Sequence, residues 1–227
     1  MEALPRHREL TLWSVVRSVG DAGDFHAADP APRRTATFHE VEVPTYVLGS
    51  SQDERTVDRR VADRLGVRVV RRRSGGGGVL LVPGEFVWLD LVVPVDDPLW
   101  SPDVAATMWW AGDLWRGVLG GLGIEAVRHD GRLVTTEWSP VVCFAGLGAG
   151  ELVAADRPGS KLVGISQRRT RNWARLQTMC HLRWRPELMA ALTATPRPPA
   201  AAIAGCAEVV DVDASRLVAA LTTALPS

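Results

Sequence analysis

The spacing of apolar and polar positions changes several times along the chain. Over residues 37–48, Phe38, Val41, Val43, Tyr46 and Val47 favour extended structure. Gly49-Ser50-Ser51 then turns the chain. Val57, Val61 and Leu65 follow at i, i+4 and i+8, a helical stripe that Gly66 stops. Residues 67–72 predict a strand running into a glycine loop. Residues 79–82 and 86–93 predict a hairpin turned at Pro83-Gly84. Ser101-Pro102-Asp103 has the chemistry of a helix start: a capping hydroxyl, a proline in the first turn and an acid near the positive end of the dipole. Val104, Met108, Ala111, Trp115 and Val118 mark the buried face of that helix, and Gly120-Gly121 its end. Several short strands are expected over residues 124–182. Residues 1–35 are polar and rich in Pro, Ala and Asp, which predicts a loosely ordered opening segment around a short helix near the apolar stretch 12–19. Residues 196–204 shift to Pro and Ala and read as a connector, after which Asp213 caps a last helix reaching Leu225. Short strands outnumber helices, so the expected class is α+β, with a mixed, largely antiparallel sheet flanked by helices. Residues 1–195 form the expected main domain. Residues 196–227 hold only the connector and last helix, with no full accessory domain.

Composition narrows the function. Twenty-six basic side chains balance 26 acidic ones among 227 residues, which argues against a general nucleic-acid binder. No apolar run reaches the ~18 residues that span a bilayer, and the charged first ten residues lack a secretory core. Cys143, Cys180 and Cys206 are too few and scattered for a disulfide framework, so a reducing cytoplasm is expected. No Cys or His spacing suits a metal. Of the 26 basic residues, 25 are arginine and one, Lys161, is lysine. Arginine is a planar fork and lysine a compact point charge, so a single lysine in an arginine-biased chain hints at a task arginine cannot perform; chance survival is the alternative.

Three segments carry candidate chemistry. In Arg71-Arg72-Arg73-Ser74-Gly75-Gly76-Gly77-Gly78, four glycines suit a backbone that must approach a ligand and aim N–H groups at it. The adjacent arginines could clamp a carboxylate or phosphate; a flexible turn beside a solvated charge run is the alternative. No Gly-Lys-Ser/Thr follows, so the loop is not a nucleotide P-loop, and a strand follows where a helix should, so it is not a dinucleotide fingerprint. In the second segment, Lys161 begins a short strand ending at Gly164, where an ammonium could stabilise developing negative charge or simply be exposed. In the third, Cys143 sits among valines and is either inert packing or a nucleophile activated by a nearby cation such as Lys161. His181, in a strand-like run, reads as structural.

Together these blocks resemble the lipoate–protein ligase and octanoyltransferase family, relatives of biotin–protein ligase, over residues 37–182. Val47-Leu48-Gly49-Ser50-Ser51-Gln52 is similar to the family's VLG-x-x-Q turn. Residues 71–79 are similar to its RR-x-SGGG-A-V loop, and residues 161–169 to its K-[IL]-x-G-x-A-Q-R-R block. The resemblance implies a mixed sheet flanked by helices, a tunnel for a medium-length acyl chain, and acyl transfer onto a lysine of a lipoyl-carrier domain. That carrier would be a 2-oxoacid dehydrogenase acyltransferase subunit or a glycine-cleavage carrier protein. It implies Lys161 as catalytic lysine, and Arg71, Arg72, Ser74, Gly75, Gly76, Gly77, Gly78, Gly164, Ser166 and Gln167 as substrate-binding residues. One branch of the family uses a cysteine of a C-F pair ahead of an E-L strand, as Cys143-Phe144 stands ahead of Glu151-Leu152. That branch moves lipoyl or octanoyl through a thioester and requires no cofactor. The ligase branch uses ATP and Mg to make lipoyl-AMP and typically shows an R-N-D triplet that is missing here. The family's His and Asp after the glycines are also missing, and Gln177-Thr178-Met179-Cys180 replaces its H-G-[ST]-L. A divergent acyl-binding protein with little turnover is therefore a third reading.

Overall fold

The computed structural model describes residues 12–226. In chain order the elements are β1 (Ser14–Gly20), α1 (Ala22–Ala27), β2 (Thr35–Val41), β3 (Thr45–Leu48), α2 (Arg59–Arg64), β4 (Arg68–Arg71), β5 (Val79–Leu81), β6 (Phe86–Pro94) and α3 (Val104–Gly121). They continue with β7 (Ala126–Arg128), β8 (Leu152–Ala154), β9 (Lys161–Arg169), β10 (Trp173–His181), α4 (Pro186–Leu192), α5 (Ala200–Ile203) and α6 (Ala214–Thr223). The strands form a seven-stranded sheet, β1-β2-β6-β10-β9-β8-β7, and a three-stranded sheet, β4-β3-β5. Among the described strands, only β1–β2 and β3–β4 pair in parallel. The expected α+β class with a largely antiparallel sheet holds, divided between two sheets. No described helix is long and apolar enough to cross a membrane.

Strand alternation separates the layers. On β6, Val87, Leu89 and Leu91 point into a core with Ala111, Trp115, Val118 and Leu119 of α3 and Leu217 and Leu221 of α6. Phe86 and Trp88, on the other face, pack with Val47 and Leu81 of the smaller sheet and Ala22 of α1. The period of two thus sends one face of β6 to the helices and the other to the second sheet. A space between the sheets results, and the candidate chemistry lies there.

Several expectations change. β5 and β6 are not a hairpin. β5 pairs with β3, while both edges of β6 are taken by β2 and β10. The Pro83-Gly84 turn, with Gly84 at φ 75°, carries the chain from one sheet to the other. The apolar stretch near the start is an edge strand, β1, and the short helix comes after it as α1; residues before 12 lie outside the described ones. Asp103, not Ser101, caps α3 by accepting from the Ala105 N–H. Val104 is 50 % exposed rather than on the buried face. The strand beginning at Lys161 runs past Gly164 to Arg169. Residues 196–210 do more than connect. Ile203 is buried in a second core, Val210 enters the main one, and Lys161 and His181 form bridges with Ala207 and Val209.

Candidate functional site

The glycine loop links β4 to β5, and close packing accounts for its composition. A Cβ on Gly49 would overlap the Gly76 carbonyl oxygen, and one on Gly77 would lie 2.6 Å from the Ser139 oxygen. Gly76 also has φ 96°, which side chains avoid. Arg72 organises the loop from beneath. It is 4 % exposed, and its Nη2 donates to the carbonyls of Gly75 (2.7 Å) and Gly77 (2.8 Å). Arg71 Nη1 donates to the carbonyls of Gly49 (2.8 Å) and Gln52 (2.6 Å). Neither arginine is the free anion clamp expected from sequence: backbone oxygens occupy the Arg72 fork, while Arg71 is shared between backbone carbonyls at Nη1 and the Glu54 carboxylate 3.6 Å from Nη2. The N–H groups of Gly76 and Gly77 enter no hydrogen bond among the described residues.

Cys143 opens a 3-10 turn, Cys143–Ala145, and its N–H donates to the Gly78 carbonyl (2.9 Å). That bond fastens the turn to the end of the glycine loop. The cation at its sulfur is Arg72, with Nη2 3.8 Å from Sγ. Lys161, expected to fill that place, instead donates through Nζ to the Cys143 carbonyl oxygen at 3.0 Å. The lysine is 2 % exposed, lies over the Phe144 ring and is paired with Glu151 at 2.7 Å. A Cβ on Gly164 would stand 3.3 Å from the Phe144 ring, a tight approach.

Two cavities meet at these residues. An open groove of about 670 Å³ is lined by Gly75, Gly76, Gly77, Cys143, Lys161 and Gln167, among others. A small, mostly apolar chamber of about 50 Å³ lies between the sheets, with walls from Val47, Val79, Leu81, Trp88, Met179 and Phe144. Cys143, Ile165 and Ser166 line both.

A polar thread runs along the chamber wall. Ser166 and Ser74 hydroxyls are 3.0 Å apart, Ser74 donates to Gln177 Oε1 at 3.4 Å, and Gln177 Nε2 donates to His26 Nδ1 at 3.2 Å. His26 stacks on Trp88, and burial pushes its pKa down to about 3, so the ring is neutral. Both amide atoms of Gln167 are buried without a partner, an arrangement that a bound polar group would satisfy. His181 packs on Phe144, with its pKa pushed down to about 4 by burial. It lines neither of these cavities, and its Nε2 is buried without a partner.

The structure therefore brings Cys143, Lys161, Gly75, Gly76, Gly77, Ser166 and Gln167 to one place, with Gly164 at the chamber wall and Ser74 behind it, hydrogen-bonded to Ser166. Gly78 lies beneath, where a Cβ would meet the Tyr46 ring. Arg71 is at the loop's outer base. Sequence reasoning missed Glu151 as a partner of Lys161, and His26 and Trp88 as chamber wall. Glu151 left one trace, its place ahead of Leu152 in the quoted pair. His26 left none.

A family model described as the lipoyl protein ligase A/B catalytic domain matches residues 26–222. Solved structures share the fold. A Thermoplasma acidophilum protein with bound lipoic acid superposes with a TM-score of 0.68 at 15 % identity, covering 94 % of this chain and 83 % of that one. A chain from the T. acidophilum lipoylation system, a bipartite lipoate protein ligase and its E2 lipoyl domain, gives 0.70 at 14 %, covering 92 % and 80 %. Lipoate-protein ligase A bound with ATP gives 0.68 at 16 %, covering 94 % and 83 %. No curated protein matches the chain.

Proposed function

Because the chain belongs to the lipoyl protein ligase A/B catalytic domain family, we propose that it transfers a lipoyl or octanoyl group from a thioester donor to the lysine of a lipoyl-carrier domain, through a thioester on Cys143. One observation carries this reading: Cys143 stands where the open groove meets the apolar chamber, with a guanidinium 3.8 Å from its sulfur. An acyl chain in the chamber presents its carbonyl carbon to that sulfur, and the donor occupies the groove.

The Cys143 thiolate attacks the donor's carbonyl carbon. The free N–H groups of Gly76 and Gly77 and the remaining N–H of Lys161 receive the developing oxyanion. The C–S bond to the donor breaks, and its thiol leaves with the proton that Cys143 gave up. The neutral amine of the carrier lysine then attacks the Cys143 thioester. An amide forms, the C–S bond breaks, and the amine's proton returns to the Cys143 sulfur. A reducing cytoplasm keeps that thiol free. Carriers resembling the E2 lipoyl domain of the archaeal system are the acceptors this reading expects.

A ligase route would place ATP and Mg in the groove. The charged residues lining it are Lys161, Asp53 and Glu151, and Lys161 is already paired with Glu151. Arg71 and Arg72 are engaged with backbone carbonyls. Phosphoryl chemistry relies on free cations around the phosphates, and this set fits a triphosphate poorly.

The test is transfer from an octanoyl thioester donor to a lipoyl domain without ATP. The expected result is acylated carrier lysine, reduced roughly a thousandfold or more in Cys143→Ala, as for loss of a nucleophile. Unchanged transfer by Cys143→Ala, or transfer only with ATP, contradicts the reading. Acyl binding with no transfer at all would favour a binding protein.

A further inference from the structure

We propose that Glu151 is a positioning residue: it fixes the Lys161 ammonium and, through it, the Cys143 peptide. Its role in transfer rests on the thioester reading; its effect on Lys161 does not. Three donors converge on the Glu151 carboxylate. Oε2 accepts from Lys161 Nζ at 2.7 Å and from the Gly148 N–H at 2.6 Å, while Oε1 accepts from the Ile165 N–H at 3.0 Å. Both side chains of the pair are buried, 6 % exposed for Glu151 and 2 % for Lys161. Lys161 spends a second N–H on the Cys143 carbonyl. Its third N–H is left for a ligand in the groove it lines.

The carboxylate can hold the ammonium still because its own backbone is seated firmly. The Glu151 carbonyl accepts from the His129 N–H at 2.9 Å, and the Gly150 N–H donates to the His129 carbonyl at 2.8 Å. Gly112 of α3 lies against Gly150 so closely that a Cβ on either would collide with backbone. Those glycines, unexplained in the sequence, bring the 148–151 turn onto α3. Ile165, the third donor, lines both cavities. Glu151 thus ties the helix, the turn and β9 to a single ammonium. A neutral amide cannot replace it. Gln offers one oxygen and one NH2, so in either orientation an N–H faces an N–H or the ammonium, and the buried positive charge loses its counterion.

The test uses the fact that Lys161 is the sole lysine. Full-length chain labelled with [ε-13C]lysine gives one side-chain NMR signal. In the native chain that signal is expected to be dispersed and as immobile as the core, and Glu151→Gln moves it toward the free-lysine position and narrows it. In transfer assays Glu151→Gln lowers kcat roughly a hundredfold, as for removal of one oxyanion donor, with KM for the thioester donor nearly unchanged. Added to Lys161→Met it causes no further loss, since residues acting as a unit are not additive. Where Glu151→Gln fails to fold, Glu151→Met/Lys161→Met replaces the pair by apolar groups of similar length and is expected to fold but not transfer. A mobile lysine in the native chain, a signal unmoved by Glu151→Gln, or transfer by the double Met variant overturns the assignment. An inert chain with an immobile, Glu151-dependent lysine signal upholds it and removes only the transferase reading.

Discussion

Arg72 shows how one side chain can serve a loop and a thiol together. Its planar fork reaches the carbonyls of Gly75 and Gly77 and, at 3.8 Å, the Cys143 sulfur. A lysine keeps the charge but offers a single point in place of the fork. Arg72→Lys is therefore expected to lower stability by about 2–4 kcal/mol, the range for losing charged hydrogen bonds at a buried site, and to reduce transfer. Urea unfolding checks the first effect, and an unchanged midpoint would deny Arg72 its role under the loop. The sequence marked Arg72 as important but misjudged its partner. Arginine beside glycines suits a ligand's oxygens and the loop's own oxygens equally well, and only the fold chooses. Lys161 and Cys143 were legible because one is the sole lysine and the other precedes Phe144. Glu151 was not, since its partner lies ten positions on, across a turn that no periodicity describes.

Elements were read better than their partnerships. The strand over 86–93 and the helix capped at Asp213 appear much as expected, because hydrophobic spacing and capping chemistry are local. The supposed hairpin failed on a non-local point. A period of two says that a strand has two faces, not which strand lies beside it. β6 is buried at eight successive positions, Phe86 to Val93, the pattern of a central strand, and its edges go to β2 and β10. β1 was misjudged for a related reason: its apolar stretch suggested burial, yet its residues are mostly exposed, and pairing with β2 holds it extended. The Pro/Ala stretch looked like a connector because neither residue has polar groups to announce a contact, yet Ile203 is buried. Such pairings bring the site together, since β3, β5, β9 and β10 supply chamber residues from distant parts of the chain.

At the scale of the whole molecule, the seam between the two sheets governs both stability and chemistry. Burial holds His26 to a pKa of about 3 and His181 to about 4, below the ordinary 6.5. Below pH 6.5 the unfolded chain takes up protons that these rings refuse. Stability is expected to be full above pH 6.5 and to fall toward pH 4 by about 1.4 kcal/mol per pH unit for each histidine. Urea titrations at pH 7 and pH 5 check this, and equal midpoints would contradict it. The same seam places Cys143 between chamber and groove, where the proposed transfer has an acyl group pause on sulfur. Intact-mass analysis of the native chain after brief exposure to an octanoyl thioester, with no carrier present, tests it most directly. One octanoyl group, removed by hydroxylamine and mapped to Cys143, is the predicted result; a chain of unchanged mass, or an adduct on another residue, would contradict it.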